Sequence, residues 1–116
     1  MLKNALDSVW LSFAFRNKPF GVVSYSGGAT GGVRAAEHLA QIAVEMESAP
    51  LQSSMTVPNV SSAFGDDATP ADPWLRARLT ALLDDLSWWG RALHAARAEG
   101  QLPPAKLRIR AAMSAA

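Results

Sequence analysis

A chain of 116 residues, 49% apolar and 18% charged, has room for one domain, and its net charge of +1 lacks the basic excess that nucleic-acid binding demands. With no cysteine there are no disulfides, thiolate metal sites or cysteine nucleophiles, and two widely separated histidines, His38 and His94, give no basis for a zinc site. No apolar run approaches the roughly 18 residues that span a bilayer, and Asp7 interrupts the stretch that would otherwise imitate a signal peptide, so a cytoplasmic chain without membrane contact is expected.

Leu2, Leu6, Val9, Trp10 and Phe13 fall on one face of a helix that starts almost at Met1. Arg16, Asn17, Lys18 and Pro19 break it, and Phe20 to Tyr25, β-branched at Val22 and Val23, reads as a strand. Ser26 to Gly32 is a glycine-rich loop. Helical spacing resumes through Val33, Ala36, Leu39, Ala40, Ala43 and Val44 to about Ser48, with Pro50 as its stop.

Gln52 to Val57 is a second strand candidate, followed by a polar connection rich in Pro, Ser, Gly and Asp to Pro70. Asp72 offers a capping carboxylate ahead of Pro73, and Leu75, Leu79, Leu82, Leu83, Leu86, Trp89, Leu93 and Ala96 keep one face of a long helix apolar as far as Gly100. Trp88 and Trp89 are expected to serve core packing. Residues 1–100 then form one unit, and 101–116, with Lys106, Arg108 and Arg110, form a poorly ordered basic tail.

The order helix, strand, helix, strand, helix is an α/β alternation, which favours parallel strands joined by right-handed crossovers. Two strands are too few for a parallel sheet covered on both faces, so the pattern reads as part of a larger domain.

A strand that feeds a glycine-rich loop opening a helix suits an anion or the polar edge of a cofactor. The loop is not a nucleotide-triphosphate cradle, because Val33 stands where lysine must reach the phosphates and Arg34 where a hydroxyl must hold magnesium. The dinucleotide fingerprint fails as well: Thr30 replaces the second glycine, and neither Glu45 nor Glu47 is a compelling ribose partner. A tight turn requiring unusual backbone angles explains the glycines equally well. Ser24-Tyr25-Ser26-Gly27-Gly28 is also one residue from a nucleophile elbow, with Asp66 or Asp67 and His94 downstream in hydrolase order, although His94 falls inside a helix.

Leu2-Lys3-Asn4-Ala5-Leu6-Asp7, Lys18-Pro19 before a strand, Ser24-Tyr25-Ser26-Gly27-Gly28 and Gly31-Gly32-Val33-Arg34-Ala35-Ala36-Glu37 together resemble the C-terminal half of NADPH-dependent FMN reductases, through about Arg97. The resemblance implies a flavodoxin-like, three-layer parallel α/β sheet, present as a truncated helix-strand-helix-strand-helix portion. It implies FMN and NADPH as cofactors, hydride passing through the flavin to an acceptor such as a quinone, and a homo-oligomer. Ser24, Tyr25, Ser26, Gly27 and Gly28 would form the loop beside the isoalloxazine ring, with Ser26 foremost, and no catalytic or metal-binding residue is assigned.

By the same resemblance Lys3, Asn4 and Asp7 would shape that site or a subunit contact, and Arg34 and Glu37 would form an exposed ion pair or subunit contact. The family's phosphate-binding loop and first three strands have no counterpart here, so the chain is expected to be an inactive fragment. A noncatalytic interaction module, docking through an open strand edge and the Leu/Trp-rich helix, is the alternative from another class.

Overall fold

A computed structural model describes residues 1–116. It opens with helix α1, Leu2–Val9, which buries Leu6 and tightens into a 3-10 turn at Trp10–Ser12. Phe13 then adopts φ 53° and ends the helical course before Pro19.

The first expected strand forms in two pieces, whereas the second forms only at Met55–Val57 and a further piece, Ala49–Pro50, lies upstream of it. Strand β1 (Pro19–Phe20) pairs in parallel with β3 (Ala49–Pro50), and β2 (Val23–Tyr25) pairs in parallel with β4 (Met55–Val57). Phe20 lies opposite Pro50 and Val23 opposite Met55, so the second strand spends five steps where the first spends three. The two extra residues bulge out of a ladder that bonds on either side of them, through Leu51 N–H to Phe20 O at 3.0 Å and Met55 N–H to Val22 O at 3.0 Å.

Helix α2 (Val33–Glu45) joins the two strands, and its end corrects the expected stop at Pro50. Glu47 takes a left-handed conformation, φ 54°, while Glu47 N–H reaches Val44 O and Ser48 N–H reaches Ala43 O. This is a Schellman termination with glutamate in the position that favours glycine, and Pro50 lies beyond it, inside a strand.

Helix α3 (Pro73–Glu99) starts where Asp72 accepts the Trp74 amide at 2.9 Å. Side-chain alternation assigns the two long helices to opposite faces of the ladder. Ser24 points toward the start of α2, whereas Met55 and Val57 point the other way and pack with Ala63, Leu75 and Leu82 under α3. Helix α3 covers β4 but not β2, whose same-face side chains Val23 and Tyr25 are 56% and 71% exposed.

Only 12 of 116 residues are buried, and none of the large side chains is fully enclosed. The radius of gyration is 17.6 Å, against about 13 Å for a compact chain of this length. The excess comes from α3, a rod of about 40 Å resting on a small ladder.

Most of the expected tail, residues 101–116, is helical. Ala105–Ala115 is a helix, α4, because Pro103 and Pro104 end the preceding course while Pro104 precedes a run without glycine or proline. Glu47 Oε1 accepts the Ala105 amide at 3.0 Å, and the Arg16 guanidinium binds both the Glu47 carboxylate and Pro103 O. The Lys106 ammonium lies 5.5 Å from the Trp10 ring centre.

The expected core role of the paired tryptophans is corrected too. Trp88 and Trp89 meet edge to face at 5.2 Å between ring centres but remain 58% and 42% exposed, while β1 packs against α3 beside Leu86 and Gly90.

Candidate functional site at the glycine loop

The loop from Tyr25 to Gly32 is held from its second strand. Ser26 N–H donates to Val57 O, Val60 N–H donates to Ser26 O, and Asn59 N–H donates to Gly28 O, at 3.0 to 3.2 Å. Asn59 makes the last of these from a left-handed backbone, φ 45°, which asparagine tolerates well. Sequence reasoning did not single out this Pro58-Asn59-Val60 clamp, although an asparagine after a strand-ending proline is a recognisable turn signal.

The four glycines of the loop separate into two kinds. Gly31 has φ 60°, and a Cβ there would stand 3.0 Å from backbone atoms of Val57 and Pro58; Gly32 has φ 81°, and a Cβ would come within 3.2 Å of the Ser24 Cβ. Both are required by the fold. Gly27 and Gly28 have no positive φ, and a Cβ on either would meet nothing within 4 Å. Their missing side chains leave a bare, exposed stretch of backbone.

That backbone is polarised. The carbonyls of Ser26, Gly28 and Gly31 are engaged by Val60 N–H, by Asn59 N–H together with the Ser26 hydroxyl, and by the Ser24 hydroxyl. No amide from Gly27 to Gly32 donates a hydrogen bond within the chain. With those carbonyls engaged, the loop presents an excess of free donors and can bind electron-rich edges.

The five residues expected at the site have different postures. Ser24 is buried and its Oγ donates to Gly31 O at 2.8 Å, so it holds the loop from below. Tyr25 is 71% exposed beside the loop. Ser26 is half-buried with its Oγ 3.0 Å from Gly28 O, and Gly27 and Gly28 form the exposed crest. An open cavity of about 730 Å³ borders this region, lined by Pro58, Asn59, Ser62, Trp74 and Arg78.

Other residues singled out in the sequence are not brought to this loop. Lys3 pairs with Asp7 along the exposed face of α1, and the Asn4 carbonyl accepts the Ser8 hydroxyl. The cleft they border, about 1130 Å³ between α1 and α2, is lined largely by apolar side chains such as Leu2, Leu6, Trp10, Leu39 and Ile42. Arg34 and Glu37 are exposed and form no ion pair within the chain, which removes the ion-pair half of that expectation.

The hydrolase constellation does not assemble. The Ser26 hydroxyl donates to a backbone carbonyl, His94 is exposed on α3, and Asp67 is engaged by the Thr69 amide and hydroxyl. Those Thr69 bonds hold the Asp67 carboxyl below its ordinary range, as an ionised loop-forming group.

A family model described as NADPH-dependent FMN reductase matches residues 1–62, just over half of the chain. The matched span runs from α1 through the clamp after β4 and contains all five candidate loop residues; α3, where the resemblance extended to Arg97, lies outside it. No curated protein matches the chain. The parallel ladder with a helix on each face is the flavodoxin-like α/β arrangement of that family.

Proposed function

Because the chain belongs to the NADPH-dependent FMN reductase family, we propose that the loop of Ser24, Tyr25, Ser26, Gly27 and Gly28 faces the flavin of an oxidoreductase. When bound, FMN supplies the two-electron chemistry that carries hydride from NAD(P)H to an acceptor such as a quinone. The protein's share is donors, shape and exclusion of water.

The observation that carries the reading is the donor set: free amides at Gly27 and Gly28 on a crest bare of side chains, with the flanking carbonyls of Ser26 and Gly28 tied back. Such a strip fits the carbonyl and nitrogen edge of a planar heterocycle, to which side chains would bar close approach. Ser26 adds a hydroxyl that can turn from Gly28 O to a ligand, and Ser24 fixes the loop through Gly31. A cytoplasmic setting, where NAD(P)H is supplied, fits a chain without cysteine.

The 116-residue chain on its own offers one loop beside a two-stranded ladder, which leaves most of a bound flavin in water. It therefore binds FMN weakly and lacks reductase turnover. The exposed apolar side chains of β2 and α3 support a second element of the reading, assembly into a homo-oligomer.

Titrating FMN into the purified chain while following flavin fluorescence, with circular dichroism on the same sample, tests both parts. Weak, saturable quenching by a folded chain is expected, with NAD(P)H oxidation no faster than with free FMN. A folded chain that leaves FMN fluorescence unchanged would remove the flavin reading, and FMN-dependent turnover would remove the claim of inactivity.

A further inference from the structure

The outward face of α3 has a pattern that neither flavin binding nor the core explains. Leu75 and Leu82 are buried against the ladder, with Leu86 and Leu93 half-buried on the same stripe. Away from that stripe, every seventh position from 74 to 95 reads Trp74, Ala81, Trp88, Ala95, and all four are exposed. A seven-residue spacing returns to nearly the same side of a helix, so these positions form one seam of alternating large and small residues.

The residues flanking the seam are complementary under a two-fold axis through Ala81. In an antiparallel pairing of two α3 helices about that point, Trp74 meets Trp88 of the partner subunit, Ala81 meets its own copy, and Arg78 meets Asp84 of the partner subunit. Arg78 and Asp84 are exposed, and neither takes part in the chain's two ion pairs, Lys3–Asp7 and Arg16–Glu47. A parallel pairing would set Arg78 against Arg78 and Asp84 against Asp84, which like-charge repulsion opposes. Two helices crossing at small residues approach closely there and diverge toward their ends, where the tryptophans fill the widening gap.

The chain has surface to spare for this contact. Its accessible area is 8383 Å², against about 6100 Å² for a compact monomer of its mass. The difference, about 2300 Å², exceeds the roughly 1600 Å² that a stable protein–protein interface buries in total.

We propose that a second copy of this chain docks on the Trp74-Ala81-Trp88 face of α3, antiparallel, with reciprocal Arg78–Asp84 ion pairs. The contact deepens the homo-oligomer element of the proposed function and does not depend on flavin. Because Trp74 also lines the cavity beside Asn59, the pairing brings Trp88 of the partner subunit to the rim of that cavity.

Sedimentation velocity on the whole chain over about a hundredfold concentration range, with circular dichroism on each variant, tests the surface. The chain should dimerise, Arg78→Asp and Asp84→Arg should each weaken the dimer by about tenfold or more, and the double reversal should restore it. Ala81→Trp, which blocks the crossing point at an exposed site, should also abolish dimerisation while helix content is kept. A folded chain that stays monomeric throughout would overturn the proposal. Self-association insensitive to both reversals and to Ala81→Trp would leave a homo-oligomer standing and sink this surface.

Discussion

Gly31 and Gly32 stand three residues from Gly27 and Gly28 in the same loop, yet the two pairs answer to different demands. The first pair takes positive φ and lies against the backbone of Val57 and Pro58 or against the Tyr25 carbonyl and the Ser24 side chain. The second has ordinary backbone angles and empty space around it. A glycine cluster in a strand-to-helix turn can thus combine a folding requirement with a surface kept bare for a ligand, and only the geometry around each Cα separates them.

Substitutions test that division, and Gly31→Ala should have the largest effect. Its Cβ would press on immobile backbone in a left-handed conformation, so a loss of about 2 to 3 kcal/mol is expected in urea unfolding. Gly32→Ala would set a Cβ 3.1 Å from the Tyr25 carbonyl oxygen and 3.2 Å from the Ser24 Cβ, a little less crowded than Gly31, and should cost about 1 to 2 kcal/mol. Ser24→Ala removes the hydroxyl bonded to Gly31 O and should cost about 1 kcal/mol in the same assay. If Gly31→Ala were as stable as the native chain, the fold-required half of the comparison would fail.

Gly27→Ala and Gly28→Ala sharpen the other half. Each should leave stability unchanged or raise it by a few tenths of a kcal/mol, because alanine restricts the unfolded chain and meets nothing when folded. Each should nevertheless weaken FMN binding severalfold in the fluorescence titration. A loss of stability like that of Gly31→Ala would show that the crest, too, is built for the fold.

The smallest expected effect concerns Glu47, far from the loop. The hydrogen bond from Arg16 holds its carboxyl below the ordinary range, assisted by the Ala105 amide and opposed by partial burial. A carboxyl depressed in the folded state stabilises above its unfolded pKa, about 4.3, and that contribution is lost as pH falls through the lower folded value. Acid titration followed by circular dichroism should therefore show α4 loosening below about pH 4.3, and Glu47→Gln should flatten the dependence.

Much of this was legible in the sequence because local chemistry agrees with the fold. Asp72-Pro73 opens α3 as its capping chemistry requires, and the spacing of Leu6, Ala36, Ala43, Leu75 and Leu82 carries the buried faces. What was not legible depends on residues far apart in the chain. The interruption of both strands follows from Leu82 pressing within 3.0 Å of where a Gly21 Cβ would lie and from the two-residue bulge opposite. The end of α2 and the start of α4 share Glu47, which is 58 positions from the amide it caps, so periodicity could disclose neither.

The candidate site was readable as a loop and a family resemblance, but not as a division of labour. Ser24 and Ser26 look alike in sequence and would share a face in a continuous strand, but the strand ends at Tyr25, so Ser24 stays buried beneath the loop while Ser26 lies half-buried within it. The clamp from Asn59 and Val60, which frees the loop's amides by taking its carbonyls, could not be seen without strand register.

The measurement that bears most directly on the loop as the flavin-facing surface is a titration of the isotope-labelled chain with FMN, followed through backbone amide chemical shifts. Saturable shifts concentrated at Ser26, Gly27, Gly28 and their neighbours to Thr30, with little change along α1, are expected. Shifts confined to the cleft between α1 and α2, or none at saturating FMN in a folded chain, would contradict the assignment.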